Sequence, residues 1–238
     1  MKVREPVVIS WSGGKDSMLA LHEVRASGSF DVISALTTVT QEYDRVCMHG
    51  VRRSLLRRQC DELSLPLAEI VMPPQPTNAH YEEGVGRALD KFRARGVSQV
   101  VFGDIFLEDL RAYRDRQLAG LGFSGIYPLW RQPSEALVRR FLALGYRTVL
   151  ACVDTRAMPA DFAGRELDES LLSALPPGVD PCGENGEFHT FVWSGPLFRH
   201  PIRLVRGDRV QRAQFMYCDW LEESPRAAPV ALTVEGMS

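Results

Sequence analysis

The sequence carries almost no net charge: 28 Lys and Arg stand against 30 Asp and Glu, giving −2 at neutral pH. No global positive field exists to hold a nucleic-acid backbone non-specifically, so nucleic acid is not an expected partner. Long apolar runs are missing as well. Nothing approaches the roughly 20 residues that cross a bilayer, and MKVREPVVISW at the start lacks the h-region of a signal peptide. Cysteine is sparse and odd in number, at Cys47, Cys60, Cys152, Cys182 and Cys218, with no CxxC pair. A disulfide framework and a structural zinc knuckle are therefore both disfavoured, and the chain reads as cytoplasmic, without a membrane partner. What remains, 45% hydrophobic and 24% charged residues over 238 positions, is ordinary globular composition.

Along the chain, short β-rich runs alternate with helical stretches. VVISW (7–11), DVISALTTVT (31–40), PLAEIV (66–71) and SQVVFGD (98–104) read as strands, and helical patterns separate them. That alternation predicts an α/β fold, a Rossmann-like parallel sheet with helices on both faces. Beyond it, helices at 133–145 and 166–175 flank a strand at 147–154. PIRLV and VQRAQFMYC then suggest a hairpin centred on Gly207-Asp208. The expected organisation is a first domain over 1–132, a smaller α+β C-terminal lobe over 133–223, and a tail over 224–238.

The richest motif is Ser12-Gly13-Gly14-Lys15-Asp16-Ser17, placed after the first strand and opening a helix. Two glycines permit positive φ, so successive N–H groups can turn inward as a nest for phosphate oxygens. The helix N-terminus adds unpaired donors and a positive dipole end. Ser12 and Ser17 bring hydroxyls, Lys15 a compact charge, and Asp16 a route to Mg²⁺. A Walker A loop is excluded: Ile9 stands where its first glycine belongs, and Asp16 occupies the hydroxyl position. A second glycine pattern, GLGFSG at 120–125, follows a charged helix and runs into IYPLW, so it is no dinucleotide fingerprint.

SGGKDS is the signature of the N-type ATP pyrophosphatase, or PP-loop, superfamily. Three further landmarks extend the likeness: His49-Gly50, Gly103-Asp104 with the later Pro128-Leu129-Trp130, and PCGENGEFHT at 181–190. Together they resemble the diphthine–ammonia ligase family over roughly residues 5 to 222. The resemblance implies a HUP-like fold and an ATP-dependent, AMP- and pyrophosphate-forming amide ligase that adenylates a carboxylate and passes ammonia to it. ATP and Mg²⁺ are the implied cofactors. A small-molecule or protein-borne carboxylate and ammonium are the implied partners, and a homodimer is the guess for assembly.

In that reading Ser12, Gly13, Gly14 and Ser17 cradle the pyrophosphate, Lys15 neutralises it, and Asp16 holds Mg²⁺. Backbone near Leu36, Thr37 and Thr38 takes the adenine. Gly103 and Asp104 lie at the carboxyl end of a strand, where open α/β sheets bind ligands. Glu184, Glu187 and His189 are placed on a Gly-flanked loop as groups that bind ammonium, orient the acceptor or act as a base. On composition alone GENGEFHT reads first as a turn, with Asn185-Gly186 supplying positive φ, and the resemblance reverses that order. His49, Arg111 and Arg114 are the remaining substrate candidates. A solvated helical face accounts for the two arginines as well, and is the first reading of the Arg52, Arg53, Arg57, Arg58 cluster, an acidic partner being the second.

The chain starts Met-Lys, with no stretch left to house a glutaminase, so free ammonium is the expected donor. Only Lys2, Lys15 and Lys91 are lysine, a bias that hints at a GC-rich bacterial genome. The family's eponymous acceptor, a modified histidine of elongation factor 2, would then be absent. Two alternatives stay open: a PP-loop enzyme adenylating an RNA or cofactor precursor, and a nucleotide sensor that binds ATP or AMP without turnover.

Overall fold

The structure is a computed structural model describing residues 3–42, 44–46 and 50–223. His49 and the 224–238 tail lie outside the described residues. In chain order the elements are β1 (Glu5–Ser10), α1 (Lys15–Ser27), β2 (Phe30–Thr40), β3 (Arg45–Val46), α2 (Arg53–Glu62) and β4 (Leu67–Met72). They continue with α3 (Asn78–Arg93), β5 (Gln99–Val101), α4 (Glu108–Gly120), β6 (Ser124–Ile126) and α5 (Ser134–Ala143). The last are β7 (Arg147–Asp154), α6 (Glu169–Ser173), β8 (Phe188–Ser194), β9 (Leu204–Arg212) and β10 (Phe215–Glu222).

Parallel strands order as β4-β2-β1-β5-β6, with β3 antiparallel to the end of β2. β1 is buried on both faces, which its unbroken run Val7-Val8-Ile9 requires, all three at 0% exposure. Val8 packs with Leu36, Ile70, Val100 and Phe102 under α3 and α4. Val7 and Ile9 face the other way, into a cluster that runs through α1 and α2 to Leu150 and Phe191 of the second sheet. From β1 the chain steps outward through β2 to β4, then returns to β5 on the far side of β1. The crevice beyond the ends of β1 and β5 is thus the point where strand order reverses, the preferred ligand site of such sheets.

β2 is longer than its neighbour. Its last pair with β1 is Ser10 with Leu36, and β3 first pairs at Val39 with Val46. Thr37 and Thr38 therefore fall in a gap in the ladder on the side facing the β1 loop.

The second sheet is antiparallel, in the order β8-β7-β10-β9. Its hairpin turns at Ala213-Gln214, not at Gly207-Asp208 as the sequence suggests. β10 pairs with β7 through Phe215, Met216 and Tyr217, and β9 runs on to Arg212 to cover their other edge. Ala213 takes the positive φ of +49° that the turn needs. Gly207 and Asp208 instead oppose the single residue Asp219, since Arg206 pairs with Trp220 and Arg209 with Cys218. The turn-like dipeptide is a bulge. The helix expected at 166–175 is shorter, because Asp168 caps it by accepting the Leu171 N–H at 2.7 Å. The short strands β3 and β6 carry no periodic signal and were not anticipated.

The arginines at the start of and along α2 keep part of their surface in solvent, Arg57 most of all, and each also pairs with a carboxylate of the chain. Arg52 pairs with Asp219 at 2.5 Å, Arg53 and Arg57 with Glu69 at 2.8 and 2.6 Å, and Arg58 with Glu62 at 2.6 Å. The acidic partners lie within the chain: Glu69 on β4 and Asp219 on β10 are on other elements, and Glu62 is one turn along α2 itself. Among the described residues no helix is long and apolar enough to cross a membrane.

Candidate functional site

The loop after β1 turns on Gly13, at φ +79°. A Cβ there would stand 2.6 Å from Leu56 Cδ1, so both conformation and space demand glycine. Gly14 caps α1 without a side-chain hydrogen bond. The Ser12 and Ser17 hydroxyls lie 3.2 Å apart across the loop, and Ser17 Oγ also donates to the Gly14 carbonyl at 3.0 Å. Lys15 is 3% exposed. Its Nζ donates to Asp16 Oδ2 at 2.8 Å and to the Cys182 carbonyl, 167 residues along the chain.

The C-terminal lobe completes this loop. Thr190 Oγ1 accepts the Lys15 N–H at 3.0 Å, and the Val192 N–H donates to the Gly13 carbonyl at 3.0 Å. Thr190 and His189 lie in β8, a strand; His189 was expected on a loop. Gln59, fully buried on α2, accepts from Trp11 Nε1 at 3.0 Å and donates to the carbonyls of Gly13 and Val192 at 2.9 and 2.6 Å. One amide thus joins the phosphate loop to both the helix beneath it and the second sheet.

The PCGENGE segment ahead of β8 is held by two carboxylates. Asp180 Oδ1 accepts the N–H groups of Cys182 and Glu184 at 2.9 and 3.2 Å. Glu187 accepts the N–H of Asp180 and of Asn185, each at 3.0 Å, and the Asn185 side-chain amide at 3.0 Å. Glu187 therefore serves the loop's shape. Glu184 points the other way, its Oε1 taking the Ile105 N–H at 2.7 Å just beyond β5.

A cavity of about 360 Å³ opens at the strand-order reversal. Ser12, Gly14, Lys15, Asp16 and Ser17 form one end; Leu36, Thr37 and Thr38 line it along β2. Gly103, Asp104, Arg114, Glu184 and His189 close the other walls. Of the residues singled out from sequence, Gly13, Glu187 and Arg111 lie off this wall. The Arg111 guanidinium sits 4.5 Å from the ring centroids of both Tyr127 and Trp130. Arg114 faces inward, pairing with Asp104 at 2.9 Å over the Phe102 ring.

Electrostatics in the cavity are set by burial. Burial alone would depress the Lys15 ammonium, but Asp16, then Cys182 and Glu184, outweigh it and hold its pKa above the ordinary value. Glu184 is pushed up to about 7, by burial first, against the Ile105 N–H and with help from the negative Asp16 and Asp104. Asp104 is raised by burial, partly offset by Arg114. His189 is lowered to about 4 by burial and by Lys15, so it stays neutral near pH 7. Three carboxylates, Asp16, Asp104 and Glu184, thus share a half-dry space and repel one another.

The wall fits a nucleotide. A Cβ on Gly103 would meet the Asp16 carbonyl carbon at 2.7 Å, so glycine lets the loop beyond β5 lie against the start of α1. Thr37 Oγ1 is buried with no hydrogen-bond partner. Among the described residues no group of three or more His, Cys, Asp or Glu is placed to hold a metal unaided. Asp16 and Asp104 both line the cavity, and one or two carboxylates are what a Mg²⁺ bound mainly through phosphate and water would need.

Three contributors escaped the sequence reading. Gln59 shares the buried stripe of α2 with Leu55, Leu56, Cys60 and one other polar residue, Glu62, and a polar group on a core-facing stripe was the available signal. Asp180 precedes Pro-Cys-Gly in an Asx-turn pattern. Thr190 stood within the motif without an assigned role.

Comparison with known proteins matches residues 5–124 to the diphthamide synthase N-terminal domain model and residues 133–223 to the diphthamide synthase C-terminal domain model. A diphthine–ammonia ligase of Danio rerio is 26% identical over 211 residues, covering 80% of this chain and 83% of that protein. A diphthine–ammonia ligase of Schizosaccharomyces pombe is 26% identical over 124 residues, 48% of this chain and 20% of that protein. The chain thus spans about a fifth of the second relative's length and most of the first's. The two domain models match in order, the first segment carrying SGGKDS and the second PCGENGEFHT, and the chain belongs to the diphthamide synthase family.

Proposed function

We propose that the protein is an ATP-dependent amide ligase that forms AMP and pyrophosphate. The observation that carries the reading is a single cavity bounded by the SGGKDS loop, the β2 gap at Thr37-Thr38, and a wall of Asp104, Glu184 and His189. A phosphate cradle, a place for a base and a set of titratable groups meet there.

In the first step a substrate carboxylate oxygen attacks the α-phosphorus of ATP. The bond from that phosphorus to the bridging oxygen breaks, and pyrophosphate leaves with its negative charge in the cradle of Ser12, Gly14, Lys15 and Ser17. Lys15, kept cationic by Asp16, offsets the charge as it develops. Asp16 and Asp104 would hold a Mg²⁺ that supplies further neutralisation at the phosphates. In the second step ammonia attacks the acyl carbon, the carbon–oxygen bond to AMP breaks, and one proton is released. Glu184, with a pKa near 7, is suited to receive that proton, while His189, neutral and weakly basic, can only hydrogen-bond the acceptor. No protein nucleophile is needed, so positioning and charge stabilisation supply the catalysis. Glu187 and Asp180 act by holding Glu184 in place.

The test is pyrophosphate release from Mg·ATP by the purified chain, with and without ammonium. The acceptors are a panel of carboxylate metabolites and diphthine-bearing elongation factor 2, and Lys15→Ala and Asp16→Ala serve as controls. Release that needs an acceptor and collapses in both variants supports the ligase. Tight ATP binding with no pyrophosphate under any acceptor would favour a nucleotide sensor.

A further inference from the structure

The reaction proposed above brings a carboxylate into a cavity whose wall already carries Asp16, Asp104 and Glu184. ATP adds its own negative charge. An anionic acceptor is repelled there unless a cation meets it. Among the described residues, two side chains of the wall are cationic at neutral pH, Lys15 and Arg114. Lys15 is 3% exposed, and its ammonium is engaged by Asp16 and the Cys182 carbonyl beside the phosphate loop. Arg114 is left for the acceptor.

The setting of Arg114 suits that task. Leu107, Leu110, Arg114 and Leu118 all line the cavity, at i, i+3, i+7 and i+11, so the charge stands on an apolar stripe of α4. Its guanidinium lies 4.5 Å from the Phe102 ring centroid, a stacking contact that orients the plane. Nε and Nη2 meet Asp104 at 2.9 and 3.3 Å, so Asp104 takes the side edge of the fork. The end edge, Nη1 with the second N–H of Nη2, makes no hydrogen bond among the described residues. An arginine held on one edge and open on the other is a preformed receptor for the two oxygens of a carboxylate. Arg111, one turn earlier, is not equivalent. Its guanidinium is enclosed by Tyr127 and Trp130 and pairs with Asp115 at 3.5 Å.

We infer that Arg114 binds the carboxylate of the acceptor through this open edge and selects anionic acceptors over neutral ones; the inference rests on the ligase reading above. Asp104 links the two halves of the site, since it pairs with Arg114 and follows Gly103, which lies against the Asp16 backbone. An acceptor held at Arg114 is therefore beside the phosphate loop. Its carboxylate loses its charge once an oxygen bonds phosphorus, so the contact is strongest before the reaction. Arg114 then governs acceptor affinity more than the chemical step.

The first measurement is NMR of the isotope-labelled chain, following the Arg114 Nε–H resonance, which Arg114→Lys identifies by its loss. Formate is titrated as the smallest carboxylate, with formamide and sodium chloride as neutral and anionic controls. Formate is expected to shift the resonance saturably, and neither control is. No formate shift, or an equal shift with either control, would overturn the inference.

The second measurement is steady-state kinetics with an acceptor that supports pyrophosphate release, thermal melts establishing that each variant is folded. Arg114→Met is expected to raise the acceptor KM about tenfold or more, the scale of a lost charge-assisted hydrogen bond, with the smaller part of the loss in kcat. Arg114→Lys keeps the charge and is expected to recover part of it. Mg·ATP affinity by calorimetry is expected to change by less than about twofold, whereas a role confined to holding Asp104 would show there first. An acceptor KM that ignores Arg114, or that rises no more than the ATP constant, removes the inference and leaves the ligase reading. A saturable formate response with no pyrophosphate release under any acceptor keeps the carboxylate site and removes the ligase reading.

Discussion

The Thr190 hydroxyl oxygen accepts the backbone N–H of Lys15 at 3.0 Å, across 175 residues of sequence. The N–H at the start of a helix has no intrahelical partner, and here a side chain of the second sheet supplies one. The phosphate loop of this protein is therefore not a self-contained motif. Its backbone is fixed by β8, and the C-terminal lobe is part of the candidate site rather than an appendage to it.

Replacing Thr190 with valine keeps the volume and removes the acceptor. The Lys15 N–H is then left buried and unpaired, at a cost of about 1–3 kcal/mol. Urea denaturation is expected to show that loss, with pyrophosphate affinity falling in parallel because α1 no longer holds its register. Thr190→Ser restores the oxygen and is expected to recover most of both. A Thr190→Val protein with unchanged stability and unchanged pyrophosphate binding would refute the linkage.

Gln59 is the counterpart on the other side of the loop. Truncation to alanine leaves the Trp11 indole N–H and the carbonyls of Gly13 and Val192 without this partner, and opens a void where exposure is 0%. The expected destabilisation is about 2–4 kcal/mol. Gln59→Glu should do worse than a neutral isostere, since a carboxylate cannot donate to either carbonyl. Chemical denaturation of the three proteins side by side decides it.

These two residues mark the line between what the sequence discloses and what it does not. The β1–loop–α1 unit was legible because its signals are local: a buried apolar run, two glycines, then helical spacing. The β7 strand, 147–154, was legible to the residue for the same reason. The hairpin was misplaced because Gly207-Asp208 is a locally good turn, and the pairing of β10 with β7, a long-range fact, decided otherwise. The ion pairs of Arg52, Arg53 and Arg57 were not legible because their partners, Asp219 and Glu69, lie on other elements. Likewise Glu187 and Glu184 are equivalent as letters, and only the folded loop turns one inward on itself and the other toward the cavity.

Gly103 provides a steric test. An added Cβ would lie 2.7 and 2.8 Å from the Asp16 carbonyl carbon and oxygen and 2.9 Å from the Ser17 nitrogen, all of it backbone that cannot step aside cheaply. Gly103→Ala is expected to cost about 1–3 kcal/mol by overpacking and to weaken nucleotide binding, because Asp104 must retreat from Asp16. Gly120→Ala is the control: it ends α4, meets nothing within 4 Å, and is expected to be neutral or slightly stabilising. Equal behaviour of the two variants would argue against a close loop–helix contact.

Glu184 makes the protein's pH dependence specific. Its folded pKa is about 7 against an ordinary 4.5, so between those values the folded state binds more protons than the unfolded chain. Stability from this group is fully present below about pH 4.5 and is lost as pH rises through 7. His189 works in the opposite sense: lowered to about 4 from 6.5, it makes stability rise with pH over that window. The two slopes offset each other in the wild type, and Glu184→Gln separates them. Relative to wild type, the variant's melting temperature is expected to increase steadily from pH 5 to pH 8. Activity should move the other way. If ionised Glu184 receives the proton released at amide formation, the wild-type rate carries an inflection near pH 7 that the glutamine variant lacks. The rise from ammonium's own titration, at higher pH, is expected in both. An inflection near 7 that survives in Glu184→Gln would assign the base to another group, and a melting-temperature difference independent of pH would place the Glu184 carboxyl in its ordinary range.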